Sequence, residues 1–356
     1  MVSRIRRRER PPEPAVEPPL WERQTELEEY ETLCRVRLEH LVEVREPLVL
    51  VSQIQRSGGT LLGQLFDGHA ECHVDPYELK IGHPKKHNWP SLDLSRPETW
   101  FTTLCYPWVG ERLRRTERTR MPERGRSVFP FLFLPRLQKQ IFDACVAERP
   151  TSEREVLDCY FTSYFNGWLD NHNLYTGPKK AIVGFTPRLA MERSNVERYF
   201  AAYPDGTLIS IVRRPAAWYA SASRHPVGDY GDVERALGLW SGSVDAALEA
   251  SAEHGEQVIV LTYEQLVLDT DPTMRALADR LGIAMSPVLL QPTFNGRSIL
   301  ANSSDAVDRL GVLPERVDAY RGSLDEETEA RIAELAGDRY ERAVAAAGAE
   351  HLAEPR

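Results

Sequence analysis

The stretch that most constrains this chain is LVLVSQIQRSGGTLLGQLFDGH, from Leu48 to His69. Leu48-Val49-Leu50-Val51 is an unbroken apolar run about as long as a strand buried on both faces, and Leu61, Leu62, Leu65 and Phe66 recur at helical spacing. Between them, Ser57-Gly58-Gly59-Thr60 predicts a tight loop at a helix N-terminus. There the glycines let several backbone N–H groups aim at one point, and the helix dipole favours an anion. Arg56 and Thr60 add a cation and a hydroxyl to that loop. The pattern GxxxxGK[ST] does not occur here, so no P-loop lysine reaches β- and γ-phosphates, which disfavours an NTPase.

The same alternation returns downstream. Ala181 to Phe185, Thr207 to Val212 and Gln257 to Leu261 read as strands; Arg193 to Tyr203, the segment opening at Pro215 and Asp271 to Leu281, closed by Gly282, read as helices. Asp325 to Ala347 reads as a final surface helix. The fold class is therefore α/β, a mostly parallel central sheet flanked by helices. Ligands of such sheets gather at the C-terminal ends of the strands, where both the Arg56 loop and Arg213 fall. Residues 1–20 combine five arginines with five prolines and predict a disordered basic tail, and 21–356 predict a single domain. Trp21 to Arg45 reads as an amphipathic helix, and Ala70 to Pro90 as a loop region beside the anion site. Residues 91–179 carry broken helical patterns and predict a helical insertion that shapes an acceptor pocket.

A formal net charge of -9 and a pI near 5.6 argue against a nucleic-acid partner. Five cysteines (Cys34, Cys72, Cys105, Cys145 and Cys159), without CxxC or Cys/His spacing, suit reduced thiols, and no structural metal is expected. No apolar run reaches eighteen residues and no apolar stretch follows the N-terminal arginines, so neither membrane insertion nor a secretory signal is expected, and the default location is the cytoplasm. Oligomeric state is left open.

Three spaced motifs together resemble the sulfotransferases that use 3'-phosphoadenosine 5'-phosphosulfate (PAPS). QRSGGTLL resembles the family's 5'-phosphosulfate loop, with Arg56 in the basic position and Gly59 replacing a threonine. ISIVRRPAAWYAS is similar to the 3'-phosphate motif and selects Arg213 and Ser221, with Arg214 the alternative one residue on. VLTYEQLVLDTDPTMRALADRLGI resembles the segment whose tyrosine lies near the adenine, here Tyr263, and FNGRSILANSS resembles a loop that closes over the nucleotide through Asn295 and Gly296. The resemblance implies PAPS as sulfuryl donor, held by Arg56, Ser57, Gly58, Gly59, Thr60, Leu61, Arg213, Ser221, Tyr263, Asn295 and Gly296. It also implies a small-molecule or glycan hydroxyl as acceptor.

Arg56 is expected to stabilise the leaving oxygen, and Glu78 in DPYEL to act as general base, with His73, His83 and His87 as rivals. One departure stands out. Many members carry a lysine just before the proline matching Pro187, where this chain has Phe185 and Thr186, and Arg188 is the candidate substitute. Two other readings stay open: a kinase-like NTP phosphotransferase, and a non-catalytic nucleotide-binding scaffold.

Overall fold

The computed structural model describes residues 26–79, 81, 87–105, 132–224, 230–300 and 309–351. The tail at 1–20, His83, the pair Lys85 and Lys86, Trp108, the cluster Arg112, Arg114 and Arg115, and residues 301–304 lie outside them. Contacts group the chain into two units, Met1–Leu41 and Val42–Arg356. In the first, the expected helix is present as α1 (Glu26–Glu39).

The second unit runs β1 (Leu48–Val51), α2 (Gly59–Phe66), β2 (Cys72–Glu78), α3 (Trp100–Cys105), α4 (Pro135–Val146), α5 (Glu153–Gly167) and β3 (Ala181–Phe185). It continues α6 (Arg193–Ala202), β4 (Thr207–Val212), α7 (Pro215–Ala222), α8 (Val233–His254), β5 (Val258–Thr262), α9 (Tyr263–Leu268) and α10 (Thr270–Arg280). A short hairpin, β6 (Thr293–Phe294) with β7 (Arg297–Ser298), and α11 (Glu326–His351) complete it.

Strands β1 to β5 form one parallel sheet in the order β2-β3-β1-β4-β5. The apolar run of β1 takes the centre because both its faces are covered: Leu48 and Leu50 pack into one cluster, Val49 and Val51 into the other. Its neighbours come from far along the chain, Leu48 pairing with Ile182 and Val49 with Thr207. The chain builds β2 and β3 on one side of β1 and β4 and β5 on the other. The strand order thus reverses at β1, which opens a crevice beyond the C-terminal ends of β1 and β4.

Two expectations need correction, on Ala70 to Pro90 and on the cysteines. Ala70 to Pro90 contains the edge strand β2, whose polar His73 and Asp75 and whose Pro76 hid the strand pattern. An edge tolerates a proline, and the register with β3 shifts between Val74 and Glu78. Within 91–179, α5 is buried nearly all round and anchors the approach to β1. Val44 N–H donates to Thr162 Oγ1 at 2.9 Å, and Val42 exchanges hydrogen bonds with Asn166 at 3.1 and 2.8 Å. Finally, the thiols are not all free. The hairpin of α4 and α5 brings Cys145 and Cys159 to a Cα separation of 5.5 Å in a disulfide, while Cys34, Cys72 and Cys105 are free. The thiol count therefore no longer argues for a reducing compartment. Among the described residues no helix is long and apolar enough to cross a membrane.

Candidate active site

The loop after β1 is shaped by close packing around its two glycines. Gly58 has φ 109, and a Cβ there would stand 2.7 Å from the Tyr263 ring. A Cβ on Gly59 would meet Phe185 at 2.3 Å and the Gln53 amide at 2.4 Å. Only glycine permits this left-handed turn and this approach to β3 and α9. The loop then opens α2, whose first-turn N–H groups have no carbonyl one turn earlier to meet.

A cavity of about 230 Å³ lies over this loop. Every strand of the sheet sends a residue to it from its C-terminal end: Arg56, Gly58, Gly59, Thr60 and Leu61 after β1, Glu78 from β2, Phe185 from β3, Arg213 after β4 and Tyr263 after β5. Ser221 reaches it from the last turn of α7. These residues belong to three separate sequence motifs, and the sheet topology brings them together. Arg213 Nη1 donates to Arg56 O at 3.1 Å, Arg56 Nε donates to Ser221 Oγ at 3.2 Å, and the Arg213 guanidinium lies 4.4 Å from the Tyr263 ring centroid. Arg214, the alternative ligand, turns away to Asp318 at 3.0 Å and does not line the cavity.

The electrostatics favour an anion. Arg56, Arg213, Arg224 and Arg316 line the cavity, and Glu78 is the acidic residue among its described walls. Burial pulls the Arg213 guanidinium below the ordinary arginine value, and its Nε, like Ser57 Oγ, is buried with no hydrogen-bond partner among the described residues. Buried donors in that state cost free energy until an acceptor arrives. Burial also raises the Tyr263 phenol, while the neighbouring Arg213 acts in the opposite direction.

Other expected residues lie elsewhere. Asn295 and Gly296 do not line this cavity: Asn295 hydrogen-bonds the segment after α5 through His172 N–H at 3.0 Å and Asp170 O at 2.6 Å, and Gly296 N–H donates to Asp67 Oδ2 at 2.8 Å. They line a second cavity of about 140 Å³ with Asp67 and His73. The polar turn signal in FNGR is real, and the turn joins β6 to β7. Among the described residues, Gly311, Val312, Leu313, Arg316, Ala319 and Tyr320 also line the first cavity, from a segment without periodicity or motif to mark it. None of the described residues of 91–179 lines the first cavity.

The rivals to Glu78 separate in the same way. His73 lies at the start of β2, against Phe165, and burial drives its imidazole down to about 3. His87 Nδ1 is 2.8 Å from Pro187 O, and His87 is not a lining residue. Glu78, the last residue of β2, is half-buried at the cavity wall. Thr186, fully buried, donates to Leu79 O at 2.7 Å and so supplies no charge where a lysine would stand. Among the described residues no group of three His, Cys, Asp or Glu side chains could hold a metal ion.

Comparison with known proteins bears on this geometry. No curated protein matches the chain. Among solved structures, the sulfotransferase domain from the Synechococcus PCC 7002 olefin synthase is similar at 16% identity and TM-score 0.48, covering 82% of this chain and 96% of that one. A sulfotransferase from Alicyclobacillus acidocaldarius is similar at 12% identity and TM-score 0.43, covering 86% and 97%. A sulfotransferase from Mycobacterium avium is similar at 13% identity and TM-score 0.40, covering 90% and 82%. The family model described as the sulfotransferase family matches residues 47–287, a span that begins at β1 and takes in the whole sheet and the Arg56, Arg213 and Tyr263 motifs. On that match the chain belongs to the sulfotransferase family.

Proposed function

We propose that this sulfotransferase uses PAPS as donor and a hydroxyl of a small-molecule or glycan acceptor as recipient. The observation that carries the reading is the pairing of Arg56 and Arg213 in one cavity, with Ser221 on the first and the Tyr263 ring beneath the second. A nucleotide with anionic groups at two positions needs two cationic anchors and a platform for its base, and arginine gives directed recognition of such oxygens. Arg213 Nε and Ser57 Oγ, buried with no partner among the described residues, fit an acceptor-rich ligand. When bound, PAPS supplies the sulfuryl group, with 3',5'-ADP as the leaving part.

The chain's own residues do the rest. Ser57, Gly58, Gly59, Thr60 and Leu61 present hydroxyls and N–H groups to the 5' end. Arg56 neutralises the charge that develops on the departing oxygen, as electrostatic stabilisation does in phosphoryl transfer. Glu78 accepts the proton of the acceptor hydroxyl as its oxygen bonds to sulfur. Arg213 and Ser221 hold the 3'-phosphate and Tyr263 the adenine.

A second reading has one observation in its favour: Phe185 and Thr186 bring no cation to the end of β3, as in a nucleotide-binding scaffold with a degenerate site. Thermal denaturation with 3',5'-ADP or PAPS tests the donor assignment, and an unshifted midpoint with both ligands refutes it. Binding of both, with no sulfate transferred to any of a panel of phenols, alcohols and sugars, selects the scaffold.

A further inference from the structure

Gln55 immediately precedes Arg56 and lines the same cavity. Its side-chain amide is braced from behind. Arg188 Nε donates to Gln55 Oε1 at 2.5 Å, Tyr230 Oη donates to the same oxygen at 3.2 Å, and Arg188 Nη2 donates to Tyr230 Oη. Arginine has donors and no acceptor, so the atom it meets must be the amide oxygen. The two ends of the Gln55 amide are thereby told apart, and its NH₂ is the end left over. Among the described residues that NH₂ has no hydrogen-bond partner.

The brace is itself fixed. Arg188 holds a left-handed backbone, φ 65, which a residue with a Cβ adopts only when its surroundings compel it. Its N–H donates to Gln53 O at 2.9 Å. Tyr230 is buried edge-on against Trp218, with ring centroids 5.5 Å apart, and Trp218 Nε1 donates to Gln55 O at 2.8 Å. Backbone and side chain of Gln55 are therefore both clamped, at the wall where β3 offers only Phe185.

We propose that Gln55 contacts the sulfuryl group, donating an amide N–H to one of its oxygens, with Arg188 and Tyr230 as positioning residues that keep the NH₂ end turned into the cavity. Arg188 acts through this brace and not as a second cation at the reacting atoms. An amide donor stabilises charge on oxygen without a charge of its own to desolvate, and a clamped one needs no reorganisation. The inference rests on the PAPS reading above.

Calorimetric titration of the full chain with PAPS and with 3',5'-ADP, which has the same nucleotide but no sulfuryl group, separates the two. Gln55→Glu keeps the length of the side chain and a partner for Arg188, but turns an oxygen towards the cavity. It is expected to weaken PAPS roughly ten- to a hundredfold while leaving 3',5'-ADP within about twofold. Gln55→Leu is expected to weaken PAPS by roughly tenfold with the same selectivity. Arg188→Leu is expected to reproduce the Gln55→Leu loss and to add little to it in the double variant. Equal weakening of both ligands, no weakening of PAPS, or full additivity of the two substitutions overturns the proposal. Failure of the unaltered protein to bind 3',5'-ADP overturns it together with the donor assignment, whereas 3',5'-ADP binding with an indifferent Gln55 overturns it alone.

Discussion

At the C-terminal ends of the strands, four arginines face a cavity of about 230 Å³, and among the described residues one wall atom, Arg213 Nε, and Ser57 Oγ in the adjoining loop are buried without a partner. Around the second cavity, of about 140 Å³, where β2 begins, Asp67 and His73 are deeply buried and His73 Nε2 too lacks a hydrogen-bond partner among the described residues, but here both side chains are shifted towards their neutral forms. Asp67 accepts from Thr293 Oγ1 at 2.7 Å and Gly296 N–H at 2.8 Å, yet burial still raises its carboxyl to about 6; burial drives the His73 imidazole to about 3. Glu46 stands 4.0 Å from His73, and the charge of Lys179 pushes the imidazole in the same direction as burial. The lesson concerns where a fold accepts unpaired charge. At the second cavity the shifts favour neutral forms, as expected of structure. At the first, guanidinium groups cannot neutralise, and the fold carries the cost of holding Arg56, Arg213 and Arg316 partly buried.

That contrast can be broken at several points. The largest expected effect is Glu78→Gln, which should lower kcat by roughly a hundred- to ten-thousandfold with 3',5'-ADP affinity near unchanged; single-turnover kinetics showing an unaltered rate would remove Glu78 from proton transfer. Arg213→Ala should cost about 2 to 5 kcal/mol of 3',5'-ADP binding by calorimetry, and a change within error would mean that the 3'-phosphate lies elsewhere.

At the second cavity the expected effect is on stability against pH. A histidine with a folded value near 3 and an unfolded value near 6.5 binds more protons unfolded, so its contribution is lost as pH falls from about 6.5 towards 3. Asp67 has the opposite sign: with a folded value near 6 it binds more protons folded, and stability falls as pH rises from about 4 to 6. His73→Phe should therefore flatten the acid limb of a urea-midpoint profile, by on the order of a few kcal/mol, and Asp67→Asn should steepen it. Identical profiles for all three proteins would contradict the burial argument. The smallest effect belongs to Ser221→Ala, about 1 kcal/mol of 3',5'-ADP binding, and a loss as large as that of Arg213→Ala would show that Ser221 chiefly positions Arg56.

The sequence showed the central sheet because buried parallel strands leave continuous apolar runs, as at Leu48 to Val51 and Thr207 to Val212. It showed the loop and Arg213 because glycine conformation and strand-end position are local properties. It hid β2, since an edge strand has no need of the apolar pattern and carries Pro76. It hid the lining segment from Gly311 to Tyr320, which has no period of its own. That Asn295 lies away from the first cavity was not legible for a related reason: a turn-forming Asn with φ 53 advertises a sharp bend but not what the bend packs against. The Cys145–Cys159 link is likewise a product of the α4–α5 hairpin and has no spacing signature.

The position of β1 has a consequence for how the chain is made. Its two neighbours in the sheet begin pairing at Ile182 and Thr207, so Leu48 and Val49 wait for residues 134 (182 − 48) and 158 (207 − 49) places later. Synthesis at roughly 5 to 20 residues per second puts that wait at roughly 7 to 30 seconds. For all of it, β1 has no strand to pair with, and contacts this distant in sequence also slow folding once the chain is complete. The loop proposed to hold the nucleotide is joined to that strand, so on that proposal nucleotide affinity arises late, when β3 and β4 close on β1.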